Sequence, residues 1–211
     1  VSGFAPTYFD LIGQGFEAAE VTVGVLGSNV ISTTKIYNGH WQLVQDTANY
    51  ADGSRLTVNA DPTDAYDTHQ VWYSYDTQGR LSSVDNVYDN GSRLFINVDE
   101  DGSKEWNQDW FNFDAQGRLD SEDIVFDDGS RTFINLDQDN SQSWSSAWFT
   151  YDNQGRLDTQ DVNYDDGTRI FYNYDQAGTE SFELTAILYD EEGEAYQQII
   201  VWNDGTTTYS M

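Results

Sequence analysis

Short runs in which apolar and polar residues alternate recur along the chain, as in RLFINVD (93–99), RTFINLD (131–137) and RIFYNYD (169–175). A period of two, carried by Phe, Ile, Tyr, Val and Thr, is the signature of a β-strand with two distinct faces. No segment keeps a helical period over more than two turns; FEAAE (16–20) comes nearest and is short. The runs are separated by turn signals of three kinds. One is D-x-x-G-R, as in YDTQGRL (75–81), FDAQGRL (113–119) and YDNQGRL (151–157), with a degenerate copy, YDEEGEA (189–195). It suits a three-residue hairpin loop with Gly in the left-handed position. The second is Asn90-Gly91, Asp128-Gly129, Asp166-Gly167 and Asp204-Gly205, which reads as a two-residue type I′ hairpin. The third is DEDG (99–102), varied as DQDN (137–140) and DQAG (175–178).

These signals keep strict time. Gly79, Gly117, Gly155 and Gly193 are each 38 residues apart, and the same spacing links Gly53, Gly91, Gly129, Gly167 and Gly205, and Asn59, Asn97, Asn135 and Asn173. Each repeat therefore predicts three antiparallel strands in a continuous meander. Three is odd, so equivalent strands of neighbouring repeats run in opposite directions. Side-chain parity followed through the turns then places Trp72 on the face opposite Trp110 and returns Trp148 to the first. Both faces carry the same chemistry in alternation, and neither is a plain core. The expected fold is all-β: an elongated, largely single-layer antiparallel meander, with a β-sandwich or a rolled sheet as the alternative should one bulge per repeat restore parity. The array spans residues 34–211, with incomplete first and last units. Residues 1–33 lie before it, where EVTVGVL (20–26) and the start of NVISTTKIY (29–37) predict strands that cap one end.

Composition changes this picture in two ways. Aromatic residues make up 15% of the chain although its mean hydropathy is −0.65, so this is a folded chain built from rings and hydrogen-bonding groups rather than a disordered acidic one. The charge is lopsided: 37 Asp and Glu against 9 Lys and Arg give −28. Such a surface repels nucleic acid and anionic membranes and invites cations. No apolar run approaches the ~18 residues of a membrane span. The N-terminal residues lack the basic-then-apolar order of an ordinary signal peptide. That leaves the cytosol, export without a cleaved leader, or a leader already removed. With no Cys, thiolate sites and disulfides are excluded.

The third turn has oxygen-bearing residues at alternate positions before a tight turn, the opening of a calcium loop, because a hard cation collects six to eight oxygens. Asn97, Asp99 and Asp101 before Gly102 form one copy; Asn135, Asp137 and Asp139 form a second. Asn173 and Asp175 form a weaker copy, and Asp61 and Asp64 an irregular one around Pro62. The bidentate Glu of a helix–loop–helix calcium hand is missing, since Gln108 and Ser146 stand at its position. Bound Ca2+ would need further ligands from neighbouring strands or water, and the bland alternative is that Asp, Asn and Gly simply make good turns. Asp127, Asp128, Asp165 and Asp166, with Asp123 and Asp161 nearby, form a second acidic reservoir. Arg80, Arg118 and Arg156 are expected to pair with Asp76, Asp114 and Asp152 across their loops. Trp72, Trp106, Trp110, Trp144 and Trp148 are core residues if covered and sugar-stacking platforms if exposed. Their repetition suits a long polymer bound through many weak contacts. The chain has two His and no nucleophile motif, and its acidic residues repeat whereas an active site is singular, so an enzyme is not expected.

YD-x-x-GRL followed by DDGS/T-R resembles the acidic repeats of proteins exported by type I systems in rhizobia, and over residues 34–211 the chain resembles the Rap (Rhizobium-adhering) family, in its small members with two Ra, or cadherin-like, domains. The resemblance implies a secreted, calcium-binding lectin or adhesin acting on acidic bacterial exopolysaccharide in the biofilm matrix; the period and strand count lead to the expectation of a monomer, and the charge and lack of a long apolar run to that of no nucleic acid and no membrane insertion. The runner-up is the YD repeat of RHS-type shells, a structural module without a specific ligand; its repeat is about half as long. A cadherin sandwich has no three-strand, 38-residue period, so that part of the family's fold is not carried over.

Overall fold

The structure, a computed structural model, describes residues 7–9, 18–23 and 29–211, with side chains from residue 29 onward. Among these residues there is no helix, and the end of FEAAE opens a strand instead. After β1 (Thr7–Phe9) and β2 (Ala18–Val23), strands follow in triplets of eight, eight and six residues. They are β3 (Val30–Tyr37), β4 (Leu43–Tyr50) and β5 (Arg55–Ala60), then β6 (Thr68–Tyr75), β7 (Leu81–Tyr88) and β8 (Arg93–Val98). Next come β9 (Trp106–Phe113), β10 (Leu119–Phe126) and β11 (Arg131–Leu136), followed by β12 (Trp144–Tyr151), β13 (Leu157–Tyr164) and β14 (Arg169–Tyr174). The last triplet is β15 (Phe182–Tyr189), β16 (Ala195–Trp202) and the shorter β17 (Thr207–Ser210). β3 is in phase with β6, so the periodic pairing reaches back to Val30. The proposed capping segment, residues 1–33, lies partly outside the described residues.

The chain forms two units, the first holding β1–β8 with the turn Asp114–Gly117, the second holding β9–β17. In each, every strand pairs antiparallel with the strands before and after it in sequence and packs on no other strand of its unit. Each unit is thus an open, single-layer meander, neither sandwich nor barrel.

The expected parity holds. In the second unit Trp110 lies opposite Asp123, which lies opposite Phe133 and then Phe149. One residue away, Trp148 lies opposite Ile134 and Asp161, which continue to Phe171 and Ile187. Successive residues of a strand point to opposite faces, so the two rows lie on opposite faces and both mix rings, aliphatics and carboxylates. Bulges do occur: β6–β7, β9–β10 and β12–β13 each carry two. In β6–β7 the first adds a residue to β6 between Thr68 and Gln70, and the second adds one to β7 between Leu81 and Ser83. They cancel, and the central rows stay in register.

With one layer there is little core. Among the described residues only Ile134, Ala147, Val162 and Ala186 are buried apolar side chains, and no side chain is fully buried. Cross-strand pairs, each contributing about 0.2–1 kcal/mol, must therefore carry most of the stability. The strongest tie a strand to the one after it. Arg93 grips Asp85 with Nε–Oδ1 at 2.5 Å and Nη2–Oδ2 at 2.6 Å; Arg131 grips Asp123, and Arg169 grips Asp161, in the same two-pronged way. Their stems lie against rings, with the Arg131 guanidinium 5.6 Å from the Tyr151 ring centre and that of Arg169 4.9 Å from Tyr189. Asp123 and Asp161, read from sequence as part of an acidic reservoir, are instead charge-compensated on the sheet faces.

The Asp-Gly turns also differ from expectation. Gly91 N–H donates to Tyr88 O, Tyr88 N–H donates to Ser92 O, and only Gly91 has positive φ, at 86°. A type I′ turn needs two such residues; this is a three-residue loop with a left-handed Gly, the same geometry as Asp76–Arg80. The added residue matters because it lets neighbouring turns touch. A Cβ built on Gly53 would stand 3.0 Å from Thr77 O, whereas one on Gly79 would meet nothing within 4 Å. Both glycines have positive φ, so Ala at either costs about 1–2 kcal/mol in backbone strain. Gly53→Ala should cost measurably more than Gly79→Ala in denaturant unfolding; equal costs would mean that the turns are not packed side by side.

Candidate functional site

Carboxylates build the edges of the sheet. In the long turns the first Asp takes the loop's own donors on both oxygens. Asp137 Oδ1 accepts from Ser141 N–H at 3.1 Å and Oδ2 from Gln142 N–H at 2.9 Å. Asp175 does the same with Thr179 and Glu180, at 2.9 and 2.7 Å. Asp61 accepts from the Thr63 hydroxyl at 2.9 Å and from Tyr66 N–H at 2.6 Å, and the latter bond holds its carboxyl below the usual range. Asp99, at the corresponding position, is buried, and Asp101 accepts from Arg80 Nη2 at 3.3 Å. Asp64 and Asn140 take the left-handed position that Gly102 and Gly178 fill in the other copies. Asn97, Asn135 and Asn173 lie inside β8, β11 and β14, before the turns; their counterpart Asn59 accepts from Gln45 at 2.9 Å.

Among the described residues no three acidic or histidine side chains converge as a ready-made metal cage. The nearest approach is at Asp137 and Asp139, whose carboxylates share the Ser141 amide at 3.1 Å each. The Ser141 hydroxyl beside it leads the effects that hold Asp139 below the usual carboxylate range. Since both Asp137 oxygens face inward onto N–H groups, a calcium ion here would sit outside the loop, on exposed lone pairs, and would draw its remaining ligands from elsewhere. The expected Arg pairs are present at Arg80–Asp76 and Arg156–Asp152, with Nε–Oδ2 at 2.7 Å in both. Each also reaches the adjoining long turn, Arg156 Nη1 donating to Gln176 O at 3.0 Å. In the second unit Arg118 Nη1 makes the equivalent bond to Gln138 O at 2.7 Å.

The tryptophans divide. Trp72 and Trp148 are exposed on the sheet faces, at 36% and 47%, each opposite an Asp held by Arg: Asp85 with Arg93, Asp161 with Arg169. Trp110 is half-buried, its Nε1 donating to Gln108 Oε1 at 3.2 Å. Trp106 and Trp144 are half-buried at the starts of β9 and β12, opposite Phe126 and Tyr164. A flat ring beside hydrogen-bonding ionic groups suits the apolar face and hydroxyl rim of a sugar.

Two residues outside the sequence-derived set stand out. Trp41 is 67% exposed and has φ of 60°, a strained conformation for so bulky a residue. It occupies the slot that Gly79, Gly117, Gly155 and Gly193 fill in later repeats, and its ring centre lies 6.3 Å from that of Tyr37. The 38-residue spacing carried this signal, as a Trp where the repeat calls for Gly. Asp109 stands where other repeats have Val71, Ala147 and Thr185. Its Oδ1 is sealed from solvent with no hydrogen-bond partner, and burial, reinforced by Glu122 and Asp123, pushes its carboxyl up to about 6.

Trp41→Gly should relieve the strained turn and raise stability by about 1 kcal/mol, read from the urea midpoint at unchanged slope. For Asp109 the native state holds a proton that the unfolded chain has released above about pH 4. Stability therefore falls as pH rises from about 4 through about 6, then levels. Asp109→Ala should stabilise by about 1 kcal/mol at pH 7, solvent screening leaving only part of the shift as stability. That gain should vanish at pH 3; a gain of equal size at both pH values would trace to packing rather than charge. Comparison with family models and with curated proteins finds no match to the chain, so the reading of these sites rests on their own geometry.

Proposed function

We propose that this protein is a secreted calcium-dependent lectin or adhesin of the bacterial surface or biofilm matrix, and that its ligand is an acidic exopolysaccharide. The observation that supports this best is the exposed Trp72 and Trp148 on flat single-layer faces, each beside an Asp–Arg pair. Rings placed on open sheet suit an extended chain better than a small molecule, and repetition turns weak contacts into avidity.

The charge supplies the calcium. A protein at −28 repels an anionic polymer unless a divalent cation takes ligands from both. Carboxylates already engaged in their own turns, such as Asp137, offer such an ion outward lone pairs rather than a closed cage, which suits a bridging role. The Arg–Asp pairs beside the tryptophans give sugar hydroxyls both donors and acceptors. The resemblance of the repeats to the Rap family points the same way. The competing reading, a structural repeat with no specific ligand, draws on the same turn carboxylates, whose bonds suffice to explain them as fold elements.

The deciding measurement is retention of the protein on purified acidic exopolysaccharide with calcium and with chelator. Calcium should be required, and Trp72→Leu with Trp148→Leu should weaken retention about tenfold or more. Equal retention with and without chelator would refute the bridge, and none in either condition would favour the structural module.

A further inference from the structure

The edges of the sheet hold a feature that the tryptophan faces do not use. Three concave notches recur at equivalent places, with volumes in chain order of about 440, 520 and 440 Å³. Each forms where an Asp-Gly-type turn abuts the residue just before a neighbouring strand. Each is lined by a half-buried aromatic residue: Tyr50, Tyr88 or Phe126. One wall is a serine, Ser54, Ser92 or Ser130, with the turn side chain Asp52, Asn90 or Asp128 beside it. The other wall is Asn29, Asp67 or Glu105. We infer that these notches are a second, repeated class of binding site, each shaped to take one uncharged, hydroxyl-bearing sugar ring.

The notches are pre-formed. A lateral backbone bond fixes their width in each case, from Ala51 N–H to Asn29 O at 2.7 Å, Asp89 N–H to Asp67 O at 3.1 Å, and Asp127 N–H to Glu105 O at 3.2 Å. The serine hydroxyl is tied to Oδ1 of Asp52, Asn90 or Asp128 at 2.6–2.7 Å, together with the serine N–H. The second carboxylate oxygen of Asp52 and Asp128, and the amide nitrogen of Asn90, take no part in these bonds. Asp52 and Asp128 are held below the usual carboxylate range, first by the serine hydroxyl, and so act only as acceptors at neutral pH. An aromatic residue among hydrogen-bonding groups suits the two surfaces of a pyranose, a ring face of C–H groups and an edge of hydroxyls.

Charge narrows the ligand. The second and third notches are rich in carboxylates, with Asp67 and Asp89 in one and, in the other, Glu105, Asp127 and Asp128 outnumbering Lys104, so an anionic residue is disfavoured. A bare cation is disfavoured as the common ligand because the first notch keeps its form with Asp52 as its one carboxylate. What the three share is the ring, the serine and the turn side chain. Because the strand number per repeat is odd, the Tyr50 and Tyr88 notches fall on opposite edges, so each binds weakly and by itself. This reading stands apart from the calcium bridge and from the exposed tryptophans.

The test keeps calcium out. Isotope-labelled protein in chelator is titrated with neutral hexasaccharides of glucose, galactose and mannose, and amide shifts are mapped. The expected result is that at least one of the three sugars shifts the amides around Ser54, Ser92 and Ser130. Tyr50→Leu, Tyr88→Leu and Phe126→Leu together should weaken it about tenfold or more. Shifts confined to the sheet faces, undiminished binding by the triple variant, or no response to any of the three sugars would overturn the inference. Should the triple variant fail to fold, the shift map of the unaltered protein decides alone. Failure here leaves the calcium-dependent reading intact, because neither calcium nor an acidic polymer enters the experiment.

Discussion

The absence of a second layer governs everything else in this molecule. A residue in a sandwich or barrel gains stability from the opposite sheet; here it has only the strands on either side. Stabilisation must therefore run within the plane of the sheet, through ladder hydrogen bonds, cross-strand pairs and the stems of long side chains. This accounts for the composition. Tyr, Phe and Trp bring more area per position than Leu or Val and tolerate one wet side, and Arg covers a ring while its guanidinium holds a carboxylate. The bidentate pairs Arg93–Asp85, Arg131–Asp123 and Arg169–Asp161 combine both roles, with each Asp less exposed than its Arg.

The same constraint makes the turns structural. With no core to anchor them, the hairpin loops are held by their own carboxylates, and adjoining turns bond sideways, as where Asp165 N–H reaches Ser143 O at 3.2 Å and Asn203 N–H reaches Ser181 O at 3.3 Å. Much of the acidity has this local purpose: Asp128, Asp166 and Asp204 each take the hydroxyl of the Ser or Thr two residues on at 2.6 Å. Because these carboxyls are held below their usual range, the bonds contribute most above about pH 4 and are lost as acid protonates them. Asp109 runs the other way.

The period, the three strands per repeat and the exchange of faces were all legible in the sequence, because each rests on local alternation and on the spacing of Gly and Asn. The D-x-x-G-R loop was legible for the same reason. The Asp-Gly turn was misjudged as a two-residue type I′ hairpin; Asp89, Asp127 and Asp165 make it a three-residue loop, and nothing local to those residues separates the two hairpin types. The face pairs needed register, since Arg131 of β11 stands opposite Val125 and reaches Asp123 of β10 only along the diagonal. The edge notches were beyond reach, as they depend on turns from different hairpins lying side by side. The exposed members of the tryptophan set were also hidden, because Trp110 and Trp148 occupy the same repeat position yet differ in what covers them.

The odd strand number has a geometric consequence. Within the second unit, one triplet passes to the next by a half-turn about the stacking direction combined with an advance of three strands, which is a two-fold screw. A screw of this kind relates front to back: the backbone positions of one face recur on the other three strands further on, whatever side chains fill them. Unbranched polysaccharide ribbons whose neighbouring rings are flipped obey the same operation. On the proposed function, protein and polymer would share a symmetry element, and one copy could hold a separate polymer strand on each face without dimerising.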